Sequence, residues 1–247
     1  MSTPLWIGET AERFWTAAGK PEPFPRDLRI PIANSLPLAV VSMPALRLTG
    51  VDLWMRKQGV ICGIGADDRM LRACLVTRYG QGIVFLDGSD PEDEQRFSLA
   101  HELAHFLRDY LTPRRLASER LGKEVLEVLD GDRPARHEER VHALLAQVQL
   151  GFHVHLMERS PDGNIVSDAI EKAERGADRL VLELLAPSAE VLQETRQYPP
   201  EKRREALIRS LVEVYGLPAT LASYYALLLA PKPDKGGSFV RRLGIAT

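Results

Sequence analysis

The sequence is poor in cysteine, in long apolar runs and in any excess of one charge. Two cysteines, Cys62 and Cys74, occur among 247 residues, which excludes a disulfide framework and a Cys-x-x-Cys metal knuckle, and we expect both to be buried thiols. The 32 basic and 34 acidic residues nearly cancel, so binding to nucleic acid by bulk electrostatics is not expected. No run approaches the roughly eighteen apolar residues of a membrane span, and no signal peptide is visible. The sequence therefore predicts a cytoplasmic protein without a membrane segment.

What the sequence does contain is a His-Glu-x-x-His motif, formed by His101, Glu102 and His105, inside a nearly apolar segment with helical periodicity. Residues four apart share one helix face, so the two histidines can present their imidazoles to one metal ion. Glu102 is then placed to take a proton from a water at the metal rather than to bind the metal. A charged cluster in an apolar segment is costly without a purpose. We therefore interpret the motif as a metal site rather than as two ordinary helix histidines.

The motif helix is predicted to begin with Asp90 as its N-cap and Pro91 in its first position, and to end at Pro113. Residues 36–58 are interpreted as a loop and a helix. Three β-rich runs follow and predict a small antiparallel sheet directly before the motif helix: residues 60–64, 71–79 and 82–86. The glycines at 80 and 82 predict a hairpin turn between the last two runs.

A catalytic zinc usually has three protein ligands and one open position. The identity of the third ligand therefore decides to which class of zinc site the motif belongs. Arg108 and Leu111 occupy the positions where a metzincin has a glycine and a histidine, which excludes that class. The other common solution is a glutamate on a later helix, followed four residues on by an aspartate that orients a ligand histidine. Glu174 and Asp178 have this spacing. Glu171 is the competing ligand, although a helix capping box explains its carboxylate without a metal.

Two stretches of the sequence resemble one family. Residues 97–107, FSLAHELAHFL, are similar to the FTLAHELGHFL core of the ImmA/IrrE metallopeptidases. Residues 174–187, ERGADRLVLELLAP, are similar to that family's second motif, E-x-x-A-[ND]-x-F-A-x-x-L-L-M-P. The resemblance covers residues 35–230, although the gap from His105 to Glu174 is longer than is usual in the family.

The resemblance implies a gluzincin-like peptidase in which His101, His105 and Glu174 bind Zn²⁺, Glu102 is the general base and Asp178 orients a ligand. Mn²⁺ or Fe²⁺ would also suit two histidines and a carboxylate. Known substrates of the family are DNA-binding repressors, whose cleavage switches on stress or mobile-element genes. We therefore predict a zinc-dependent endopeptidase acting on a protein or peptide, such as a helix-turn-helix repressor.

These patterns predict an α+β fold in which a small antiparallel sheet precedes a zincin-type motif helix and a mostly helical C-terminal part follows. The proline-rich residues 20–31 are expected to be an extended connector without helix. The predicted divisions are an N-terminal extension (1–34), a metallopeptidase domain (35–190) with an insert at about 113–166, a C-terminal helical hairpin (191–230) and a loose tail (231–247).

The insert is predicted to contain helices near 114–129 and 135–149 and a strand at 152–158. His153 and His155 share one face of that strand; with Tyr110, they are candidates for binding substrate or its developing oxyanion, although structural roles explain them more simply. The strand could hold an extended substrate by β-addition, so the insert is predicted to form one wall of the cleft.

The alternative function is a regulator that binds DNA or a protein through the C-terminal hairpin, with a structural or vestigial metal. The basic run at 202–204 favours it, but Glu201 and Glu205 flank that run, as in a solvated helix start. Glu102, which a structural metal would not require, favours the enzyme. Direct binding to nucleic acid is therefore not expected.

Overall fold

The computed structural model describes residues 4–19, 21, 23–62, 68–137, 139, 153–158 and 168–229, and the side chains of all of these except 158 and 168–175. Within them the predicted α+β class is confirmed. The strands are β1 (Leu38–Met43), β2 (Leu71–Arg78), β3 (Gln81–Asp87) and β4 (His153–Glu158). The helices are α1 (Leu5–Ala18), α2 (Arg29–Ser35), α3 (Leu48–Lys57), α4 (Glu92–His105), α5 (Thr112–Leu121), α6 (Val125–Leu129), α7 (Asp168–Leu185), α8 (Ser188–Thr195), α9 (Pro200–Glu213) and α10 (Ala219–Leu229). Not one of these helices is both long enough and apolar enough to span a membrane.

The four strands form one sheet in the order β1-β3-β2-β4. Strand β2 is antiparallel to both β3 and β4, whereas β1 is parallel to β3. The predicted hairpin between β2 and β3 is confirmed: Tyr79 and Gly80 form its two-residue turn with φ of 54° and 76°. Both angles are positive, as a type I′ turn requires. Strand β4 lies at one edge of the described sheet.

Two predictions about the strands are wrong. Residues 60–62 carry no strand, and 63–67 lie outside the described residues. Strand β1 comes instead from residues 38–43, which lie in the segment predicted to be a loop and a helix. Only Leu38 of β1 is fully buried, so the strand lacks the regular alternation that would reveal it. Its parallel pairing with β3 supplies the backbone partners that stabilise it.

The motif helix differs from its prediction at both ends. Helix α4 begins at Glu92 with Pro91, not Asp90, as the N-cap residue. Pro113 does not end the helical run, because residues 106–111 form a π-helical turn that continues directly into α5. Pro113 lies in the first turn of α5, where an α-helix tolerates proline, and the hydroxyl of Thr112 donates to the carbonyl of Leu107 at 2.8 Å.

The proline-rich connector was also expected to be free of helix, and it is not. Pro31 is the third residue of α2, a position whose amide has no partner within a helix in any case. The predicted helix at 114–129 is divided into α5 and α6 at Gly122, whose φ is 85°. The predicted helix at 135–149 lies mostly, and the tail after 229 entirely, outside the described residues.

The sheet separates two hydrophobic cores. The larger core lies between one sheet face and helices α1, α4, α7, α9 and α10, and it includes Phe14, Leu75, Leu103, Val181 and Tyr225. The smaller core joins the other face to α3. Each fully buried leucine, valine or phenylalanine contributes about 1.5–3 kcal/mol. Helix α4 is thereby fixed between the sheet and α7, and this arrangement positions the motif.

Candidate metal centre

Three motif side chains lie buried on α4. The exposed fractions of His101, Glu102 and His105 are 4, 0 and 2%. The two histidine Nε2 atoms face each other at 3.2 Å. Two imidazole nitrogens bound to one tetrahedral zinc at about 2.0–2.1 Å lie about 3.3–3.4 Å apart. The separation in this structure therefore fits two ligands of a single ion.

A carboxylate lies behind each imidazole. Asp109 Oδ2 is 2.7 Å from His105 Nδ1, and Asp178 Oδ1 is 3.5 Å from His101 Nδ1. A carboxylate at the hydrogen-bond distance of Asp109 orients the ring and keeps the proton on Nδ1, which leaves the Nε2 lone pair for the metal. The longer contact of Asp178 places a negative charge beside the other imidazole. Arg108 Nε in turn contacts Asp109 Oδ1 at 3.2 Å. Asp178 is among the residues predicted from the sequence and Asp109 is not, although an acidic residue four positions after the second histidine is a visible signal.

Helix α7 runs close alongside the motif helix and its π-helical extension. Asp178 of α7 contacts His101 of α4. The backbone of α7 also lies close to Arg108 at Gly176, where a Cβ atom would be 2.5 Å from Arg108 Nη1. A larger residue at position 176 would therefore have to displace the arginine. Glu174 lies on α7 one turn before Asp178, and residues four apart share a helix face. The side chains of Glu174 and Glu171 lie outside the described ones, so the choice between them stays a prediction.

The candidate His155 lies within the site. It stands on β4 opposite Leu75 of β2, and its Nδ1 is 2.9 Å from Glu102 Oε2. Its ring stacks on that of His105, with centroids 3.7 Å apart and planes inclined by 20°. Nitrogen atoms of His101, His105 and His155 all lie within 4.8 Å of one another, so three histidines could also hold a metal.

Glu102 carries the clearest sign of a missing partner. Its Oε2 contacts His155, whereas its Oε1 is buried and has no hydrogen-bond partner among the described residues. Leaving a carboxylate oxygen buried and unpaired is costly. Two converging imidazoles, their carboxylates and this oxygen together fit a metal ion with a water beside it.

Tyr110 and His153 lie toward the hairpin end of the sheet. The Tyr110 hydroxyl accepts a hydrogen bond from the Gly80 amide at 2.8 Å, and burial raises the pKa of this phenol. The ring of His153 lies 6.3 Å from that of Tyr110, and burial lowers the pKa of this imidazole. The geometry gives Tyr110 a structural partner in the turn and places His155, not His153, against Glu102.

Comparison with known protein families gives one match. Residues 66–126 match the family model of the M78 peptidases described as IrrE N-terminal-like domain. The matched segment contains β2, β3 and α4 with both motif histidines and Glu102, and it ends well before α7. Neither the curated proteins nor the solved structures contain a match to this chain.

Proposed function

We propose, from the premise that this chain belongs to the ImmA/IrrE family through its IrrE N-terminal-like segment, that it is a metal-dependent endopeptidase. One observation carries the proposal: buried Glu102 stands beside two imidazoles whose Nε2 atoms face each other at 3.2 Å. A purely structural metal would need the histidines but not the carboxylate. The free cysteines Cys62 and Cys74 suit a reducing compartment, in keeping with a cytoplasmic enzyme.

His101, His105 and Glu174 are the proposed ligands of a zinc ion. The contact of α7 with His101 through Asp178 supports Glu174, which lies one turn earlier on the same face. Glu171 and His155 are the competing third ligands. When bound, zinc would lower the pKa of a water molecule and polarise the scissile carbonyl.

Glu102 is the proposed general base. Its Oε1 accepts a proton from the attacking water while the water oxygen bonds to the carbonyl carbon of the substrate. The same carboxyl then donates that proton to the amide nitrogen as the C–N bond breaks. Burial of the carboxylate excludes bulk solvent, and the carboxylates of Asp109 and Asp178 hold the two imidazoles in place.

The proposed substrate is a protein segment in extended conformation, for example from a helix-turn-helix repressor. Strand β4 is an edge of the described sheet and carries His155 against Glu102. A peptide paired with a sheet edge is extended and presents its carbonyl groups in a fixed register. This strand belongs to the insert, which would therefore form one wall of the cleft.

The function is tested by comparing the wild-type protein with Glu102→Gln and His101→Ala on a library of fluorescence-quenched peptides and on candidate repressors. Glu102→Gln should keep its metal and its fold and lose about 10²–10⁴-fold in kcat, because it removes a general base. His101→Ala should lose both metal and cleavage. Cleavage by Glu102→Gln at the wild-type rate would exclude this role.

The substrate conformation is tested with backbone N-methylation of a peptide that the wild-type protein cleaves. Alternate amides of a paired strand point toward its neighbour. Methylation should therefore suppress cleavage at every second residue on one side of the scissile bond, without changing any side chain. Uniform tolerance of the methyl groups would argue against pairing with β4.

A further inference from the structure

The hydrogen bond to Glu102 comes from far along the chain. His155 lies 53 residues after Glu102, on a strand of the insert, and its Nδ1 reaches Oε2 at 2.9 Å. Glu102 is fully buried, and the side chain of His155 is 18% exposed. A glutamate that acts as a general base must be ionised and can then only accept, so in that state Nδ1 carries the proton of this bond.

The ring geometry favours this contact over a metal bond from His155. The His155 ring stacks nearly parallel on that of His105 at 3.7 Å. The lone pairs of imidazole lie in the ring plane, so stacked parallel rings direct them side by side rather than toward one point. By contrast, the rings of His101 and His105 are inclined by 58°, and their Nε2 atoms converge.

We propose that His155 is a positioning residue that holds the general base; the inference rests on the proposed function. A carboxylate on a glutamate side chain rotates readily about its last torsion, which has no strong preference. Donation to Oε2, together with stacking on His105, fixes the carboxylate plane relative to the ligand histidine. Oε1, which lacks a partner among the described residues, is thereby the oxygen aimed at the reacting water.

The experiment uses the full chain loaded with one equivalent of zinc and compares His155→Ala, His155→Asn and His155→Gln. The Asn amide nitrogen can occupy the place of Nδ1, whereas the Gln amide nitrogen extends beyond it. Val154→Ala is the control, because Val154 lies on the same strand and contacts the other core. Three quantities are measured: zinc per chain, affinity for acetohydroxamate, and kcat and KM for a cleaved peptide. Acetohydroxamate chelates the metal and shares its proton with the general base, so its affinity reports the position of Glu102 without turnover.

We expect all variants to keep zinc. His155→Ala and His155→Gln should bind acetohydroxamate about tenfold more weakly and lose about 10–100-fold in kcat with little change in KM, since a hydrogen bond to a charged group is removed. His155→Asn should recover most of both losses, and Val154→Ala should match the wild type.

Three results would overturn the proposal: loss of zinc in His155→Ala, which would make His155 a ligand; unchanged acetohydroxamate affinity in that variant; or no advantage of Asn over Gln. A wild-type protein that binds zinc and acetohydroxamate but cleaves no peptide would refute the peptidase, and the affinities would still decide the role of His155. A wild type that binds no zinc would refute both.

Discussion

At the level of single residues, the candidate centre depends on carboxylates that lie behind histidines. The Nδ1 atom of His105 lies 2.7 Å from Asp109, that of His101 lies 3.5 Å from Asp178, and that of His155 lies 2.9 Å from Glu102. Buried imidazoles without such partners could rotate or change tautomer, and either change would weaken metal binding. The residues around the ligands should therefore matter nearly as much as the ligands.

Asp109→Ala should weaken zinc affinity about 10–100-fold, because it removes the carboxylate that orients His105. The measurement is competition with a chelator of known affinity. Glu119→Ala is a suitable control, since this exposed carboxylate lies on the following helix and contacts Arg115. Equal affinity in both variants would contradict an orienting role for Asp109.

The third ligand is decided by metal content. Glu174→Ala and His101→Ala should each lose the zinc, whereas Glu171→Ala should retain close to one ion per chain. Retention of zinc in Glu174→Ala with loss in Glu171→Ala would identify Glu171, one turn earlier on α7, as the third ligand. Loss of zinc in His155→Ala would identify His155 of β4 instead.

The sequence predicts part of this centre. The pairing of His101 with His105 follows from the four-residue helical period, which is local information. Asp178 is predicted from a sequence pattern, a glutamate followed four residues on by an aspartate, and not from any local period that reaches His101. The contact of His155 with Glu102 joins a strand to a helix across 53 residues. No periodicity encodes such a distance, so the sequence predicts His155 only as one of several substrate-binding candidates and does not predict its contact with Glu102.

At the level of elements, the restriction of sequence patterns to local information likewise explains which elements are predictable and which are not. The β2–β3 hairpin is recognisable because its turn chemistry is local. Strand β1 is not, because its pairing with β3 skips α3 and β2. The π-helical turn after His105 likewise has no sequence signature, and Pro113 was therefore interpreted as a stop although the chain stays helical through it.

A buried ion pair between Arg114 and Asp130 connects α5 to the end of α6, and Asp130 also contacts the hairpin turn. Arg114 and Asp130 form two hydrogen bonds at 2.9 Å each, and Asp130 also accepts from the Tyr79 amide. Asp130→Ala should lower the free energy of unfolding by about 3–5 kcal/mol, because it leaves a buried guanidinium unpaired. The exposed pair Arg115–Glu119 offers the control, since breaking it should cost below about 1 kcal/mol. Urea unfolding measures the free energy of unfolding of both variants. Similar losses in the two would contradict the larger contribution expected of the buried pair.

At the level of the whole molecule, the candidate metal lies where separate parts of the chain meet. Its ligands and their partners come from α4, the π-helical turn, β4 and α7. The same core also contains α1, whose Phe14 and Trp15 are buried. A metal at this junction would add a further connection between elements that already share a hydrophobic core and polar contacts such as that of His155 with Glu102.

Removal of zinc should therefore lower the Tm and leave the secondary structure nearly unchanged. Free zinc at about 1,000 times its Kd stabilises the native state by about 4 kcal/mol. Calorimetry with and without EDTA measures the difference. The double variant His101→Ala/His105→Ala should show no response to EDTA, and a wild-type Tm that is insensitive to EDTA would contradict a metal at this junction.

The position of β4 has a consequence for the order in which the chain is made. Residues up to His105 suffice for β1, β2, β3 and both motif histidines, but the donor to Glu102 is translated some fifty residues later, and Asp178 later still. A nascent chain that ends before β4 would carry the complete motif without the side chain that we propose positions its carboxylate. The contact proposed to position Glu102 can therefore form only after synthesis has passed β4.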